Sequence, residues 1–349
     1  MVYIRADANE VIGSGHVMRC LSIAGELKRQ GEEVTFIIAD KRSEEMILEK
    51  GFSVVCLHSV WDSLEQELSR LLQVIKERQI SILMIDSYYV TEYYLQSLHQ
   101  YTKLVYIDDL YSFLYPVDLL INYTIGAERL GYEAQYKKAG LPAKFALGCK
   151  YVPLRDEFQD VHREQRERVL RIMVTSGGTD SYNVIGNLLE ALSYQEWFAE
   201  FQYDIIIGRF NKNRTFLEEH WKPCKNVHFF CNVSNISEFM KQCDIAVTAS
   251  GSTVYELCAC GIPSILYTFA DNQFVVARSV SGMGLLYWAG DVRKDMEACM
   301  MNIISEIGHL KEDKEERFRQ SHDMMLMADG KGCARIAKRI REIGSNSSR

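Results

Sequence analysis

The residues best suited to chemistry lie near the start of the chain, where Gly13-Ser14-Gly15-His16 joins a predicted strand to a predicted helix. His16 falls in the first turn of that helix, where the helix dipole disfavours the imidazolium form and favours a neutral ring near pH 7. A neutral imidazole beside a glycine turn can act as a general base. The alternative is a histidine that only caps the helix or packs, and the flanking glycines favour the catalytic interpretation.

The Gly-x-Gly spacing also occurs in dinucleotide-binding turns, whose backbone N–H groups approach a phosphate. That motif needs a third small residue for close helix–strand contact, and Val17, Met18 and Arg19 stand there instead. Asp40, at the end of the second predicted strand, could still imitate the acid that binds a ribose. Because the third glycine is missing, we do not expect an NAD-type site, and we predict no cofactor.

A second glycine turn follows the first strand of the second half of the chain, at Gly177 and Gly178. Two glycines permit positive φ and a close approach of a diphosphate, and the next helix begins with free N–H donors. The alternative is an ordinary turn in which Asp180 or Ser181 caps the helix. The two interpretations are compatible, and we expect a ligand contact.

A Ser/Gly/Thr cluster after a later strand opens another helix and predicts a further anion-binding helix terminus. Glu256 lies in the first turn of that helix, where it can cap the N-terminus or accept two hydrogen bonds from a ribose. After the next strand, the amides of Asn272 and Gln273 suit sugar hydroxyl or acetamido groups, although both residue types are common in turns. The predicted contacts to a diphosphate and its ribose are Gly177, Gly178, Ser250, Gly251, Ser252, Thr253 and Glu256.

Three carboxylates follow strands in the first half of the chain: Asp86, Asp108 and Asp109. Carboxylates in this position often cap helices, so each could be structural. The adjacent pair could also suggest a metal ion, but no further ligands cluster with it. Two helix termini can hold a diphosphate without a cation, and we therefore predict no metal site.

The elements that position these residues alternate short β-branched strands with amphipathic helices, which is typical of parallel α/β sheets. The pattern restarts after a charged stretch, and a long helical part follows at 296–343. We predict an α/β protein of two Rossmann-like, doubly wound domains, 1–155 and 165–349, with a cleft between them and the helical tail in the second. The predicted strands span residues 2–7, 34–40, 53–57, 80–86, 104–108, 119–122 and 145–147, then 170–175, 203–207, 227–231, 245–249, 263–268 and 285–288.

Composition narrows the function classes. The net charge is −7, from 40 basic and 47 acidic residues, which argues against nucleic acid as a partner but permits a nucleotide. The ten cysteines lack zinc-site spacing and are typical of buried thiols in a reducing cytoplasm. The sequence shows no basic leader and no apolar run long enough for a bilayer, so we expect a cytoplasmic protein without a membrane partner.

Taken in order, these motifs resemble the UDP-2,4-diacetamido-2,4,6-trideoxy-β-L-altropyranose hydrolases of pseudaminic acid biosynthesis, over nearly the whole chain. The departure from that family is Tyr255, where relatives often carry tryptophan before the glutamate. The residues that carry the resemblance are Arg5-Ala6-Asp7, Gly13 to Arg19, Asp86-Ser87-Tyr88, Ile107-Asp108-Asp109, Leu154 to Phe158, Gly177 to Asn183, Glu256, Gly261-Ile262-Pro263, Ala270 to Gln273 and Asp329 to Gly332.

The resemblance implies a glycosyltransferase-B-like fold in which UDP binds mainly to the second domain and the sugar faces the first. It implies that His16 is the catalytic histidine and that Tyr88 and Asn272 lie on the sugar side. With the turn residues discussed above, the expected sugar-side set is Gly13, Gly15, Tyr88, Asn272 and Gln273.

The predicted function is metal-independent, inverting hydrolysis of a UDP-linked diacetamido-trideoxyhexose to UDP and free sugar, with His16 activating the water. One alternative is a glycosyltransferase of the same fold that gives the sugar to an acceptor. Another is a non-catalytic UDP-sugar-binding protein. Sugar release without an acceptor distinguishes the first alternative, and tight binding without turnover would indicate the second.

Overall fold

The computed structural model describes residues 1–161, 163–208, 211–231, 233 and 235–345. The chain divides into two compact units, one formed by Met1–Asp156 with Lys331–Arg349 and the other by Glu157–Gly330. Among the described residues, no helix is long and apolar enough to cross a membrane.

The first unit is built on a seven-stranded parallel sheet with the order β3-β2-β1-β4-β5-β6-β7. Its central strands are buried along their whole length, because helices cover both faces of the sheet. The strands are β1 (Val2–Ala6), β2 (Val34–Ile38), β3 (Ser53–Cys56), β4 (Ile82–Asp86), β5 (Lys103–Ile107), β6 (Leu119–Asn122) and β7 (Lys144–Leu147). The helices between them are α1 (Gly15–Arg29), α2 (Glu44–Glu49), α3 (Leu64–Glu77), α4 (Glu92–His99) and α5 (Tyr132–Ala139).

The second unit repeats this plan with a six-stranded parallel sheet in the order β10-β9-β8-β11-β12-β13. Its strands are β8 (Arg171–Thr175), β9 (Gln202–Ile207), β10 (Val227–Cys231), β11 (Ile245–Ala249), β12 (Ser264–Thr268) and β13 (Tyr287–Asp291). Its helices are α6 (Val184–Ser193), α7 (Arg214–Trp221), α8 (Ser237–Gln242), α9 (Thr253–Cys260), α10 (Phe274–Gly282), α11 (Met296–Glu312) and α12 (Lys314–Met327). The predicted fold class, two α/β units with parallel sheets, is confirmed.

The last helix, α13 (Gly332–Gly344), packs in the first unit, so the prediction that residues 165–349 form one domain is wrong for its end. Ile336, Ala337 and Ile340 are fully buried in the same cluster as α1 and one face of the first sheet. The apolar stripe of α13 can be recognised from its helical spacing, but that spacing does not specify which sheet it covers.

The final strand also differs from its prediction. Residues 285–288 were expected to form it, whereas β13 runs from Tyr287 to Asp291. Leu285 and Leu286 are buried in the connection that precedes the strand, so their apolar character comes from packing of the connection and not from strand pairing.

Candidate functional sites

The first site lies at the carboxyl edge of the first sheet, between β1 and β4. From β1 the chain builds the sheet outward through β2 and β3, and from β4 it builds in the opposite direction. Such a switch point is where open α/β sheets bind ligands, because the loops on the two sides diverge and leave a crevice. The turn after β1 carries His16, and β4 ends at Asp86.

His16 occupies the first turn of α1 and is buried, with 5% of its surface exposed. Its Nδ1 atom lies 2.6 Å from Oδ1 of Asp86, a carboxylate 70 residues away in the chain. The ring also meets the edge of Tyr88, with 4.5 Å between centroids and an interplanar angle of 74°. The ring is therefore held on two sides at the mouth of the predicted crevice.

Arg19 lies one helical turn after His16 and connects the site to the next two strands. Its Nε donates to Oδ2 of Asp86 at 2.6 Å, and Nη2 donates to Oδ1 at 2.5 Å. Its Nη1 donates to Oδ2 of Asp109 at 2.7 Å and also contacts the hydroxyl of Tyr123. One guanidinium thus joins the end of β4 to the loops that follow β5 and β6.

The charges of this network explain its ionisation. Burial alone would raise the pKa of the Asp86 carboxyl, but the charge of Arg19, its hydrogen bonds and that of His16 hold this pKa well below its usual range. Burial and the neighbouring Asp109 raise the pKa of the Tyr88 hydroxyl to about 12, so that group remains a neutral donor. Tyr88 donates to Oδ2 of Asp109 at 3.2 Å.

The adjacent carboxylates Asp108 and Asp109 have separate tasks. Asp108 is fully buried, and its Oδ1 accepts hydrogen bonds from the N–H groups of Leu110 and Tyr111 and from the Tyr115 hydroxyl. It therefore fixes the loop after β5, while Asp109 faces Arg19. Among the residues with described positions, no three His, Cys, Asp or Glu side chains group as a metal site.

The glycine turn before His16 is closed by Asn9, whose side chain accepts from the N–H groups of Val11 and Ile12. Gly13 adopts a φ of +70°, which a residue with a side chain rarely does. A Cβ at Gly15 would meet nothing within 4 Å, so the space beside this residue is open in the protein itself.

The second site occupies the corresponding switch point of the second sheet, between β8 and β11. Gly177 has a φ of +77° after β8, and its N–H donates to Oγ1 of Thr175 at 3.2 Å. The turn lies so close to the next strand that a Cβ at Gly208 would come within 2.0 Å of the Gly177 carbonyl. A Cβ at Gly178, by contrast, would meet nothing within 4 Å.

Asp180 caps the helix that follows this turn, as one of the two interpretations predicted. Its carboxylate accepts from the N–H groups of Val184 and Ile185 at 2.7 and 3.2 Å. Burial outweighs these two bonds and raises the pKa of the Asp180 carboxyl. Asp180 is therefore a structural part of the turn.

The predicted UDP contacts at the start of α9 differ in their surroundings. Ser250 is buried, and its hydroxyl donates to the Tyr267 carbonyl at 3.0 Å, so it ties the turn before α9 to β12. Ser252 is exposed and makes no capping bond through its side chain, while Thr253 begins the helix. The N–H groups of Val254 and Tyr255 already donate to the carbonyls of Gly251 and Ser252, at 3.2 and 3.0 Å, so an anion at this helix terminus would meet the N–H groups before Val254. Glu256 is half-buried in this first turn.

The predicted sugar contacts Asn272 and Gln273 differ in their exposure to solvent. Asn272 is exposed after β12. Gln273 is buried, and its Oε1 accepts from the Phe269 N–H at 2.8 Å, which closes the turn after the strand. Asp40, considered above as a ribose acid, instead accepts from the Arg42 N–H at 3.0 Å and pairs with that side chain.

Two members of the first site are not among the site residues predicted from the sequence. They are Asp86, which bonds His16, and Arg19, which bonds Asp86. Arg19 lies three residues after His16, a spacing that places both on one face of a helix, and this signal was available. The proximity of Asp86 depends on β1 and β4 being neighbours, which the sequence did not reveal.

No family model matches the chain. It is 25% identical to the uncharacterized protein MJ1062 of Methanocaldococcus jannaschii over 76% of its length, and it spans only 55% of that protein. It is 25% identical over 73% of its length to the UDP-2,4-diacetamido-2,4,6-trideoxy-beta-L-altropyranose hydrolase of Campylobacter jejuni, covering 86% of that protein. The spore coat polysaccharide biosynthesis protein SpsG of Bacillus subtilis is 22% identical, with 98% of both chains covered.

Solved structures agree on the fold. MurG of Acinetobacter baumannii superposes with a TM-score of 0.72 at 11% identity, covering 98% of this chain and 99% of that one. A putative UDP-N-acetylglucosamine 2-epimerase from Listeria monocytogenes gives a TM-score of 0.66 at 13% identity, covering 100% and 98%. At such identities the likeness concerns the fold alone, and this protein has the two Rossmann-like domains of the glycosyltransferase-B fold.

Proposed function

We propose that this protein hydrolyses a UDP-linked diacetamido-trideoxyhexose to UDP and free sugar, with His16 as general base. The observation that carries this proposal is the pairing of His16 Nδ1 with the buried carboxylate Asp86, 2.6 Å away, at the switch point of a parallel sheet. A histidine whose one nitrogen is bound by a carboxylate presents the other nitrogen to a substrate, which is the arrangement of many general bases.

The reaction needs only a water molecule. His16 removes a proton from the water, whose oxygen forms a bond to the anomeric carbon of the sugar. The bond from that carbon to the diphosphate oxygen breaks on the opposite face, and UDP departs with the electron pair. The anomeric configuration is inverted, and the imidazolium returns its proton to solvent.

The leaving diphosphate is assigned to the second unit. Its charge would be stabilised by backbone donors at Gly177 and Gly178 and at the start of α9, around Ser252 and Thr253. Glu256, in the first turn of that helix, would accept hydrogen bonds from the ribose. These donors could neutralise a diphosphate without a metal ion, and we propose a metal-independent reaction.

The sugar is assigned by the name of the Campylobacter relative together with the motifs discussed above. Tyr88 and Asn272, both exposed at carboxyl edges, are proposed to contact it. A second candidate is a glycosyltransferase, because solved structures with this fold include proteins named as a rhamnosyltransferase and a glycosyltransferase. That enzyme would need an acceptor, whereas a hydrolase would release sugar without one.

The test is UDP release from UDP-2,4-diacetamido-2,4,6-trideoxy-β-L-altropyranose by the purified protein, without acceptor and with EDTA present. We expect wild type to release UDP and His16→Ala to lose kcat by about 10²–10⁴, the usual contribution of a positioned base. UDP affinity should change little. His99→Ala is the matched control, because His99 also pairs with a carboxylate, Asp118, in the same unit.

Three outcomes would contradict the proposal. UDP release by His16→Ala at the wild-type rate would remove His16 from the reaction. A loss of UDP affinity as large as the loss of rate would make His16 a binding residue. Release that occurs only with an added acceptor would favour the transferase.

A further inference from the structure

The Nδ1 atom of His16 has two close neighbours that make opposite demands on it. Oδ1 of Asp86, at 2.6 Å, can only accept a hydrogen bond when the carboxyl is ionised. Nη2 of Arg19, at 3.2 Å, can only donate one. Nδ1 must therefore carry a proton if it bonds Asp86, and must lack one if it bonds Arg19.

The geometry and the charges favour the bond to Asp86. An unprotonated Nδ1 would place its lone pair against a carboxylate oxygen at 2.6 Å, and two acceptors at that distance repel. The Arg19 group does not need Nδ1, because its Nη2 already donates to the same Oδ1 at 2.5 Å. Nη2 of Arg19 therefore lies near Nδ1 of His16 because both groups donate to the same acceptor, Oδ1 of Asp86. The low pKa of the Asp86 carboxyl is consistent with a permanently ionised acceptor.

Arg19 is itself held in place by residues other than His16 and Asp86. Asp109 accepts from Nη1 of Arg19 at 2.7 Å, and Tyr88 bonds that same Asp109 oxygen while its ring lies against His16. No described residue makes a hydrogen bond to Nε2 of His16. The ring thus has one fixed nitrogen and one available nitrogen.

We propose that Asp86 and Arg19 are positioning residues: Asp86 holds His16 with its proton on Nδ1, leaving Nε2 to accept the proton of water, and Arg19 keeps Asp86 ionised and oriented. This assignment of the reacting atom rests on the proposed function, while the tautomer is a property of the resting protein. The titratable and charged groups that contact His16 directly are Arg19, Asp86 and Tyr88. Those that contact Asp86 or Arg19 in turn are Cys20 of α1, Asp109 after β5 and Tyr123 after β6.

The decisive variant is Asp86→Asn. Nε of Arg19 bonds Oδ2, and Nη2 shares Oδ1 with His16, so in either orientation the amide NH₂ replaces an acceptor of Arg19. With the amide oxygen on Nε, the NH₂ faces Nδ1 and moves the ring proton to Nε2. We expect kcat for UDP release to fall about 10³–10⁴, as when a histidine base is locked in the wrong tautomer, with KM changed less than about threefold. Asp118→Asn is the matched control, since it removes the carboxylate of the other His–Asp pair and should leave kcat unchanged. An Asp86→Asn enzyme that carries the ring proton on Nε2 and still has wild-type kcat would overturn the proposal.

The tautomer is measured directly by ¹⁵N NMR of the histidine side chains, with His16→Gln to assign the signal. We expect the proton on Nδ1 in wild type and on Nε2 in Asp86→Asn. A wild-type proton on Nε2 overturns the inference even if the enzyme is active. If wild type releases no UDP, the proposed function fails, and the NMR result still decides the inference.

The part played by Arg19 has its own test, the pH dependence of kcat/KM. Arg19→Met removes the cation that opposes protonation of His16, so the acid limb of the profile should move to higher pH. Arg19→Lys keeps the charge and should hold the limb near its wild-type position. A purely structural role would lower the amount of active enzyme in both variants without moving the limb, and that result would overturn the role of Arg19.

Discussion

The first unit contains two clusters, each made of a histidine, an aspartate and a basic residue, at opposite edges of one sheet. At the carboxyl edge, His16 pairs with Asp86, and Arg19 supplies the cation. At the amino edge, Nε2 of His99 lies 2.9 Å from Oδ2 of Asp118, and Nζ of Lys103 lies 2.9 Å from Oδ1. Composition and distances alone would not separate a candidate active site from a structural ion pair.

The position of each cluster in the fold distinguishes the two. His16 lies at the N-terminus of α1, where helix N–H groups point toward the crevice, whereas His99 is the last residue of α4. Asp118 also accepts from the Leu104 N–H at 2.9 Å, so it joins β5 to the start of β6. Ligands of parallel sheets bind at the carboxyl edge, because loops and helix N-termini meet there. We therefore assign chemistry to the first cluster and stability to the second.

The largest expected effect concerns stability against pH. The pKa of the Asp86 carboxyl is held far below its ordinary value, and hydrogen bonds from His99 and Lys103 overcome burial to lower that of Asp118 to about 2. A carboxyl whose pKa is lower in the folded state stabilises the protein above its unfolded pKa of about 4, and this stabilisation is lost as the pH falls. At pH 7 we expect Asp86→Asn to cost about 3–5 kcal/mol, as for a broken buried pair, and Asp118→Asn about 1–2 kcal/mol.

Urea unfolding at pH 7 and at pH 3 measures both losses. Each should shrink at pH 3, because the two carboxyls are then mostly protonated in the unfolded chain but still largely ionised in the folded protein. Losses that are independent of pH would show that hydrogen-bond geometry, and not charge, makes these contacts stabilising.

The effect expected to be intermediate in size compares two glycines of the second unit, one at the carboxyl edge of its sheet and one within a helix. Gly178 lies at its carboxyl edge and Gly308 lies in α11, and a Cβ on either would meet nothing within 4 Å. We expect Gly178→Ala to weaken UDP binding about ten- to a hundredfold without loss of stability, because its methyl group fills space proposed for the diphosphate. Gly308→Ala should leave UDP affinity unchanged and stabilise the helix by about 0.5–1 kcal/mol. Calorimetric titration with UDP measures the affinities. If Gly178→Ala binds UDP as tightly as Gly308→Ala does, Gly178 is not part of the UDP site.

The smallest expected effect separates two neighbouring amides at the carboxyl edge of β12. Gln273→Ala leaves the Phe269 N–H without its acceptor and should cost about 1–2 kcal/mol. Asn272→Ala should leave the free energy of unfolding within about 0.5 kcal/mol of wild type, as expected for an exposed residue, and raise KM for the UDP-sugar but not the Kd for UDP. Thermal unfolding and steady-state kinetics measure the two effects. An unchanged KM in Asn272→Ala would exclude the proposed sugar contact.

Much of this arrangement was predictable from local sequence. The strand–helix alternation predicted both sheets, and the glycine turns marked the ends of β1 and β8, because strand periodicity and positive-φ residues are properties of a few neighbouring positions. Gly261 ends α9 in a left-handed conformation, which is the usual place of a glycine after a helix. The roles of individual polar residues were less accessible. Ser250 and Gln273 are predicted ligand contacts, and the structure adds a bond from each side chain to the protein backbone. The Ser250 hydroxyl donates to the Tyr267 carbonyl of β12, and the Gln273 amide oxygen accepts from the Phe269 N–H of its own turn.

The sequence by itself determined that the chain forms parallel α/β units and that His16 opens a helix after a glycine turn. Only the tertiary structure decided that Asp86 is its partner, that Asp109 rather than Asp108 meets Arg19, and that α13 covers the first sheet. The reason is that helix and strand periodicity are encoded over a few residues. Strand order and the packing of a distant helix depend on contacts between segments 70 to 300 residues apart, whose partners no local pattern names.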